Sequence, residues 1–317
     1  MSEPRALIDI TSKGLSAQVD PFGAELHVLR DARGRGLLWD GDPAFWTGRA
    51  PILFPIVGTL VDGQYRLDGK AYPLARHGFA RRKLFNVRHV DASSAVFQLR
   101  ADAETRASYP LDFELDVGFA LSDATLTLEA VIRNLSEAPM PASFGFHPAF
   151  RWPLPFGHAR SAHSIQFGEP EPAPVRRIDH HGLLQPQGEP TPVVGGRLAL
   201  RDELFEADAL IFDHIESRYL RYGADEGPAL RIDFPDTPYL GVWTKPGAGF
   251  IAIEPWHGIT DPAGFKGELW RKPGIFAVEP GQARRISMAV TVVESGLDST
   301  FPAPPKWEQP MRRSPGA

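Results

Sequence analysis

The chain contains no cysteine. That excludes disulfides, thiolate nucleophiles and cysteine-ligated metals. It has no apolar run near the ~20 residues of a membrane-spanning helix, so no membrane partner is expected. Basic charge is not in excess: 34 Lys and Arg stand against 39 Asp and Glu, a formal net charge of -5. That balance gives no reason to expect a nucleic-acid partner. The first residues, Met1-Ser2-Glu3-Pro4-Arg5-Ala6-Leu7-Ile8-Asp9, have neither a basic start nor an apolar stretch. They do not read as a signal peptide, and a cytoplasmic location is expected. Gly-x-Gly-x-x-Gly, P-loop, Gly-x-Ser-x-Gly and His-Glu-x-x-His patterns are also absent. The usual marks of dinucleotide, nucleoside triphosphate, serine-hydrolase and zinc-protease chemistry are therefore missing.

What is present has a period of two. Leu111, Phe113, Leu115, Val117, Phe119 and Leu121 alternate with Asp112, Glu114, Asp116, Gly118 and Ala120. Alternation of this kind predicts a half-buried strand. Leu126, Leu128, Ala130 and Ile132 continue it after a turn at Ser122-Asp123, and Ile286, Met288, Val290 and Val292 repeat it. The 30 glycines and 31 prolines are scattered and break the chain into segments too short for long helices. Asp62-Gly63 and Asp68-Gly69 bracket Gln64-Tyr65-Arg66-Leu67 and read as hairpin turns. The fold class is all-β and antiparallel. No sustained linker divides the chain, so one domain is expected over residues 1–298. A Pro-rich tail, 299–317, is expected to be poorly ordered.

Three distant segments place one titratable group each among aromatics, Gly and Pro. They are Arg76-His77-Gly78-Phe79-Ala80-Arg81, Phe144-Gly145-Phe146-His147-Pro148-Ala149-Phe150 and Ile253-Glu254-Pro255-Trp256-His257-Gly258. Histidine exchanges protons near neutral pH, and a Glu among apolar neighbours is desolvated, which raises its pKa. Two His and one Glu can be the parts of a proton-transfer site. Each also has a plain structural reading, as a turn His, a core His or a strand cap. Glu254 ends the apolar run Phe250-Ile251-Ala252-Ile253, which suggests a strand end facing a cleft. Trp256 offers a face on which a sugar ring can stack, and Trp243 is a second candidate. Asp208 and Asp213 bracket Ala209-Leu210-Ile211-Phe212, and either can accept hydrogen bonds in the same cleft. Arg49 enters the apolar segment Ala50-Pro51-Ile52-Leu53-Phe54-Pro55. His180-His181 and His214 do not form a metal-ligand spacing, so neither metal nor cofactor is expected.

Together these segments resemble the aldose 1-epimerase (galactose mutarotase-like) family, in particular its shorter bacterial branch. The matching pieces begin with Arg49-Ala50-Pro51-Ile52-Leu53-Phe54-Pro55-Ile56-Val57-Gly58 and His77-Gly78-Phe79-Ala80-Arg81. The His147 and Glu254 segments and Asp208-Ala209-Leu210-Ile211-Phe212 complete the set, in family order. The resemblance implies a large antiparallel β-sandwich and cofactor-free interconversion of the α and β anomers of a free hexose. It implies Glu254 as general base, His147 as general acid, Arg49 and His77 as substrate-orienting donors, and Asp208 as a hydroxyl acceptor. The chain departs from classical members at Gly48, where they carry Asn. It also carries Phe79-Ala80-Arg81 after the first His, a segment shared with hexose-6-phosphate epimerases. Two alternatives follow: a hexose-6-phosphate 1-epimerase, with Arg76, Arg81 and Arg82 as phosphate holders, or a non-catalytic sugar-binding protein on the same fold. The partner expected is a small-molecule sugar, bound by a monomer or a homodimer.

Overall fold

The computed structural model describes residues 6–294, and the expected tail at 299–317 lies outside the described residues. Among the described residues, nine strands form the larger of two main sheets. Their order is Arg197–Ala199, His163–Phe167, Tyr219–Ala224, Ala229–Asp233, Ala283–Val293, Thr125–Asn134, Phe113–Ser122, Ser94–Arg100 and Asn86–Val90. Neighbours run antiparallel throughout. The period-two segment explains the centre of this sheet. Phe113, Leu115, Val117, Phe119 and Leu121 stand opposite Asn134, Ile132, Ala130, Leu128 and Leu126, and all ten are buried. Each large apolar side chain removed from water contributes about 1.5–3 kcal/mol. The alternate positions carry charge, and Arg133 Nη1 lies 2.9 Å from Glu114 Oε1.

The second main sheet carries the site. Its order is Leu210–Phe212, Tyr239–Trp243, Phe250–His257, Phe144–Phe146 and Ile52–Leu53, with Ala149–Arg151 also paired to Phe250–His257. Side chains along Phe250–His257 alternate between two environments. Ile251 and Ile253 enter the main core. Phe250, Ala252 and Trp256 face the other way, into smaller apolar clusters with Trp39, Trp46 and Trp243. Smaller sheets cover the ends: Ile8–Thr11, Leu15–Asp20 and Glu25–Asp31 form one, and Gln64–Leu67 with Lys70–Pro73 another.

Two sequence expectations about turns separate here. Asp68-Gly69 closes the Gln64–Leu67/Lys70–Pro73 hairpin, both residues having positive φ. Asp62-Gly63 does not close a hairpin; it ends a short 3-10 turn, Val61–Gly63, that leads into Gln64. The reason is that the chain before it is pinned elsewhere. The Val61 N–H donates to Asp261 Oδ2 at 3.0 Å, and Lys272 Nζ lies 2.8 Å from Asp261 Oδ1. Lys272 and Asp261 are both buried. This ion pair ties the loop at Thr59–Val61 to the loops after Phe250–His257. Lys272→Met leaves the Asp261 charge buried without its partner, and the expected cost is about 3–5 kcal/mol. Denaturant unfolding that gives a loss below 1 kcal/mol contradicts a structural role for the pair.

Candidate active site

The site begins with a register. Gly145 pairs with Trp256 on one side of His147, and Ala149 pairs with Ala252 on the other. The two registers are continuous, so His147 stands directly opposite Glu254. Pro148, which has no N–H, interrupts the ladder at this point, and its carbonyl accepts from Ile253 N–H at 3.1 Å. Facing residues on antiparallel strands have Cβ atoms about 4.5–5.5 Å apart. His147 and Glu254 therefore meet by construction: Nε2 lies 3.0 Å from Oε2.

Glu254 is not at a strand end, as its sequence context suggested. Phe250–His257 runs three residues past it, and Glu254 is only 2% exposed. Burial pushes its carboxyl well above the ordinary carboxylate range, and the Asp208 charge adds to this, while Arg76 opposes it. The Trp256 indole is close enough to favour the charged carboxylate, yet its Nε1 makes no well-formed hydrogen bond. Burial drives His147 the other way, to about 3, helped by Arg76 and Arg81. Both shifts favour the neutral pair, a carboxylic acid beside an uncharged imidazole. His147 Nδ1 is buried without a hydrogen-bond partner.

A cavity of about 290 Å³ opens on this pair. Its wall includes Trp46, Arg76, His77, Arg81, Asp208, Trp243, Trp256 and Thr260. Trp256 fits because its neighbours across the sheet are glycines: a Cβ at Gly145 would lie 2.7 Å from its ring, and one at Gly241 only 2.5 Å. Thr260 fixes the rim, its hydroxyl donating to Gly182 O at 2.6 Å and accepting from Thr59 N–H at 2.9 Å. A more open space of about 650 Å³ adjoins, sharing Arg76, Ile178, Gly182, Asp208 and Trp243 with the first. Asp208 has positive φ, 66°, and its Oδ1 accepts from Ala209 N–H at 2.7 Å.

His77 meets two opposed donors. The backbone N–H of Gly58 lies 3.1 Å from Nδ1, and Arg76 Nε lies 3.2 Å from Nε2. A neutral imidazole accepts at one nitrogen only. The Gly58 amide is fixed by backbone, so Nε2 carries the ring hydrogen and faces the Arg76 N–H. An oxygen set between these two N–H groups would satisfy both.

Most of the residues singled out in the sequence come together: Glu254, His147, His77, Asp208, Trp256 and Trp243 all line one cavity. Arg49 does not. Its side chain donates to His27 O at 3.2 Å, and its backbone N–H to Glu25 Oε1 at 2.7 Å. It joins the N-terminal sheet to the Ile52–Leu53 segment, because only that direction offers it acceptors. Asp213 is also outside the lining and pairs with Arg176 Nη1 at 2.9 Å. Trp46 was not foreseen. It lies in Phe45-Trp46-Thr47-Gly48, and the mixture of aromatic and glycine residues used for the other segments would have found it. Among the described residues no group of three or more His, Asp or Glu is placed to hold a metal ion, and no helix is long and apolar enough to cross a membrane.

The His77 geometry has a direct consequence. Burial and the nearby Arg76 charge hold its pKa well below the ordinary histidine value. Nitrogen NMR of the imidazoles should show a neutral Nε2–H tautomer for His77 across about pH 5–8. A ring that protonates near pH 6.5, or an Nδ1–H tautomer, contradicts this arrangement.

Comparison with known proteins agrees with the fold and extends it. The family described as Aldose 1-epimerase matches residues 6–276. A protein named LacX, from Lactococcus lactis subsp. lactis, is 33% identical over 297 residues, covering 90% of this chain and 99% of its own. The solved structure of a galactose mutarotase-like protein from Lactobacillus casei superposes with a TM-score of 0.84 at 30% identity, covering 91% of this chain and 100% of that one. A galactose mutarotase related enzyme from Lactobacillus acidophilus gives 0.83 at 28% identity, covering 93% and 100%. The match runs through nearly all of the described residues and takes in every segment that builds the cavity, so this chain belongs to the aldose 1-epimerase family.

Proposed function

We propose that the protein is an aldose 1-epimerase, an isomerase that interconverts the α and β anomers of a free hexose without a cofactor. The observation that carries this reading is the buried His147–Glu254 contact at 3.0 Å facing a cavity with aromatic walls. The anomeric hydroxyl and the ring oxygen of a sugar sit on one carbon. Two groups held 3.0 Å apart are suited to addressing two such neighbouring oxygens.

The steps balance in protons. Glu254 Oε2 lies 3.0 Å from His147 Nε2, and burial keeps the proton on the carboxyl. Transfer of that proton across this contact gives a carboxylate and an imidazolium with no change in net charge. Glu254 then takes the proton of the anomeric hydroxyl as the C1–O5 bond breaks, and His147 gives its proton to O5. The open aldehyde turns about C1–C2. The reverse transfers close the ring to either anomer. Each positioned proton transfer is worth roughly 10²–10⁴ in rate. Asp208 accepts from a sugar hydroxyl, while Arg76 and His77 bracket one sugar oxygen between their N–H groups. Trp256 and Trp243 supply the apolar face that a polyol site needs.

One observation favours a second reading, in which the sugar carries a phosphate. Arg76 and Arg81 both line the cavity, and Arg81 Nε is buried without a partner. Polarimetry with freshly dissolved α-glucose, α-galactose and α-glucose 6-phosphate ranks these substrates. Accelerated mutarotation of a free hexose supports the first reading. A strong preference for the phosphate, lost in Arg81→Ala, moves the protein to the second. No acceleration of any of them removes the enzymatic reading and leaves sugar binding alone.

Two further outcomes are expected. Glu254→Gln and His147→Asn should each lower kcat by about 10²-fold or more, with smaller effects on KM, and the double variant should lose less than the product because both groups serve one step. Near-normal turnover in folded Glu254→Gln contradicts its role. The pH profile should be broad. The pair is active while it holds one proton. Activity falls on the acid side only as pH drops through the depressed His147 value near 3, and on the alkaline side as pH rises through the raised value of Glu254. No acid limb should therefore appear at 6.5, the ordinary value of histidine. Activity in kcat/KM that rises with pH through 6.5 contradicts the shared-proton account.

A further inference from the structure

The ring of Trp46 lies flat on the ring of His147, with centroids 5.0 Å apart and planes at 29°. Phe250 supports the indole at 5.6 Å, and Trp243 meets it edge-on at 5.5 Å and 88°. The backbone beneath is anchored: Trp46 N–H donates to Asp42 O at 3.0 Å, and Trp46 O accepts from Trp39 Nε1 at 2.8 Å. Nothing in this cluster is a hydrogen-bond partner for the buried His147 Nδ1. The imidazole plane is therefore set by its contact with Glu254 at one end and by the aromatic stack on its face.

Gly48 is what admits the stack. A Cβ built on Gly48 would lie 2.7 Å from Trp46 Cε2 and 3.0 Å from Cη2, and closer still to Cζ2. Those distances are shorter than carbon atoms tolerate. Gly48 is not among the glycines with positive φ, so no left-handed backbone calls for glycine here. The three nearest atoms that a Cβ would meet all belong to the Trp46 ring. A side chain at position 48 would push the indole off the place where it covers His147.

We propose that Gly48 and Trp46 act as one device, in which the missing side chain at 48 lets the indole clamp the His147 ring, making Trp46 a positioning residue for the acid. This rests on the epimerase reading above. The physical effect has two parts. The stack fixes the direction of Nε2, and misdirection of a reacting group by about 1 Å costs on the order of 10²-fold in rate. The indole also presents its π face to the imidazolium that forms during turnover, an attraction of the cation–π kind. The same ring closes one wall of the cavity, so the device also limits which sugar substituents fit beside the anomeric carbon.

The test uses Gly48→Ala, Trp46→Ala, Trp46→Phe and the double variant Gly48→Ala/Trp46→Ala in the full chain, with thermal unfolding to check the fold. Two readouts are taken. Aromatic circular dichroism reports the crossed indoles of Trp46 and Trp243 and needs no turnover. Saturation polarimetry gives kcat and KM. The expected result is that Gly48→Ala and Trp46→Ala each weaken the indole couplet and lower kcat by about 10- to 100-fold, with KM changed much less. Trp46→Phe should recover part of kcat. The double variant should be no slower than Trp46→Ala, since the added methyl has nothing left to displace. Gly48→Ala with an unchanged couplet overturns the steric argument. Losses that multiply in the double variant, or that fall on KM alone, overturn the positioning role. If the wild type accelerates no mutarotation, the epimerase reading fails, and the positioning role fails with it. The dichroism then still decides whether Gly48 holds Trp46 in place.

Discussion

The site depends on one cross-strand pair. His147 and Glu254 face each other because two short strands, Phe144–Phe146 and Ala149–Arg151, keep the same register against Phe250–His257 on either side of Pro148. A slip of one residue would turn both groups to the opposite face, into the core that holds Ile251 and Ile253. The hydrophobic pattern thus sets the register, and the register sets the chemistry.

Burial then makes the pair useful. A carboxyl and an imidazole in water would sit as an ion pair at neutral pH. Here desolvation raises the first and lowers the second, so the two share one proton over a wide pH range. Cationic Arg76 and Arg81 and anionic Asp208 surround the pair without bonding directly to it. The opposed N–H groups of Arg76 and His77 leave a place for one oxygen. His147 Nδ1 and Trp256 Nε1 are buried without a well-formed hydrogen bond, as polar groups at functional sites often are.

Much of this was legible in the sequence. The alternation at 113–121, 126–132 and 286–292 gives the central strands directly, because one face is apolar throughout while the other mixes charged, polar and small residues. His77, His147, Glu254 and Trp256 stand among aromatic and glycine residues, which is how a rigid pocket looks when spread along a chain, and Asp208 stands at the edge of an apolar run. For Arg49, an Arg entering an apolar segment says nothing about direction; contacts to Glu25 and His27, distant in sequence, hold it outside the cavity lining. Glu254 was read as a strand end because apolar runs normally stop where charge begins. The strand continues because Trp256 pairs with Gly145 on one side and Tyr239 on the other, with Pro255 set opposite Leu240. Gly48 stood out only as a departure from classical members, and its fit against Trp46 stayed hidden because a steric match between positions two apart leaves no periodic trace.

In the proposed reaction protons move only between oxygens of the sugar and the His147–Glu254 pair. Anomeric exchange in heavy water, followed by magnetisation-transfer NMR, is the measurement that decides it. The account predicts fast transfer between the α and β anomeric signals with the hydrogens on C1 and C2 fully retained. Deuterium appearing at C2, or anomeric transfer no faster with the protein than without it, would contradict the account.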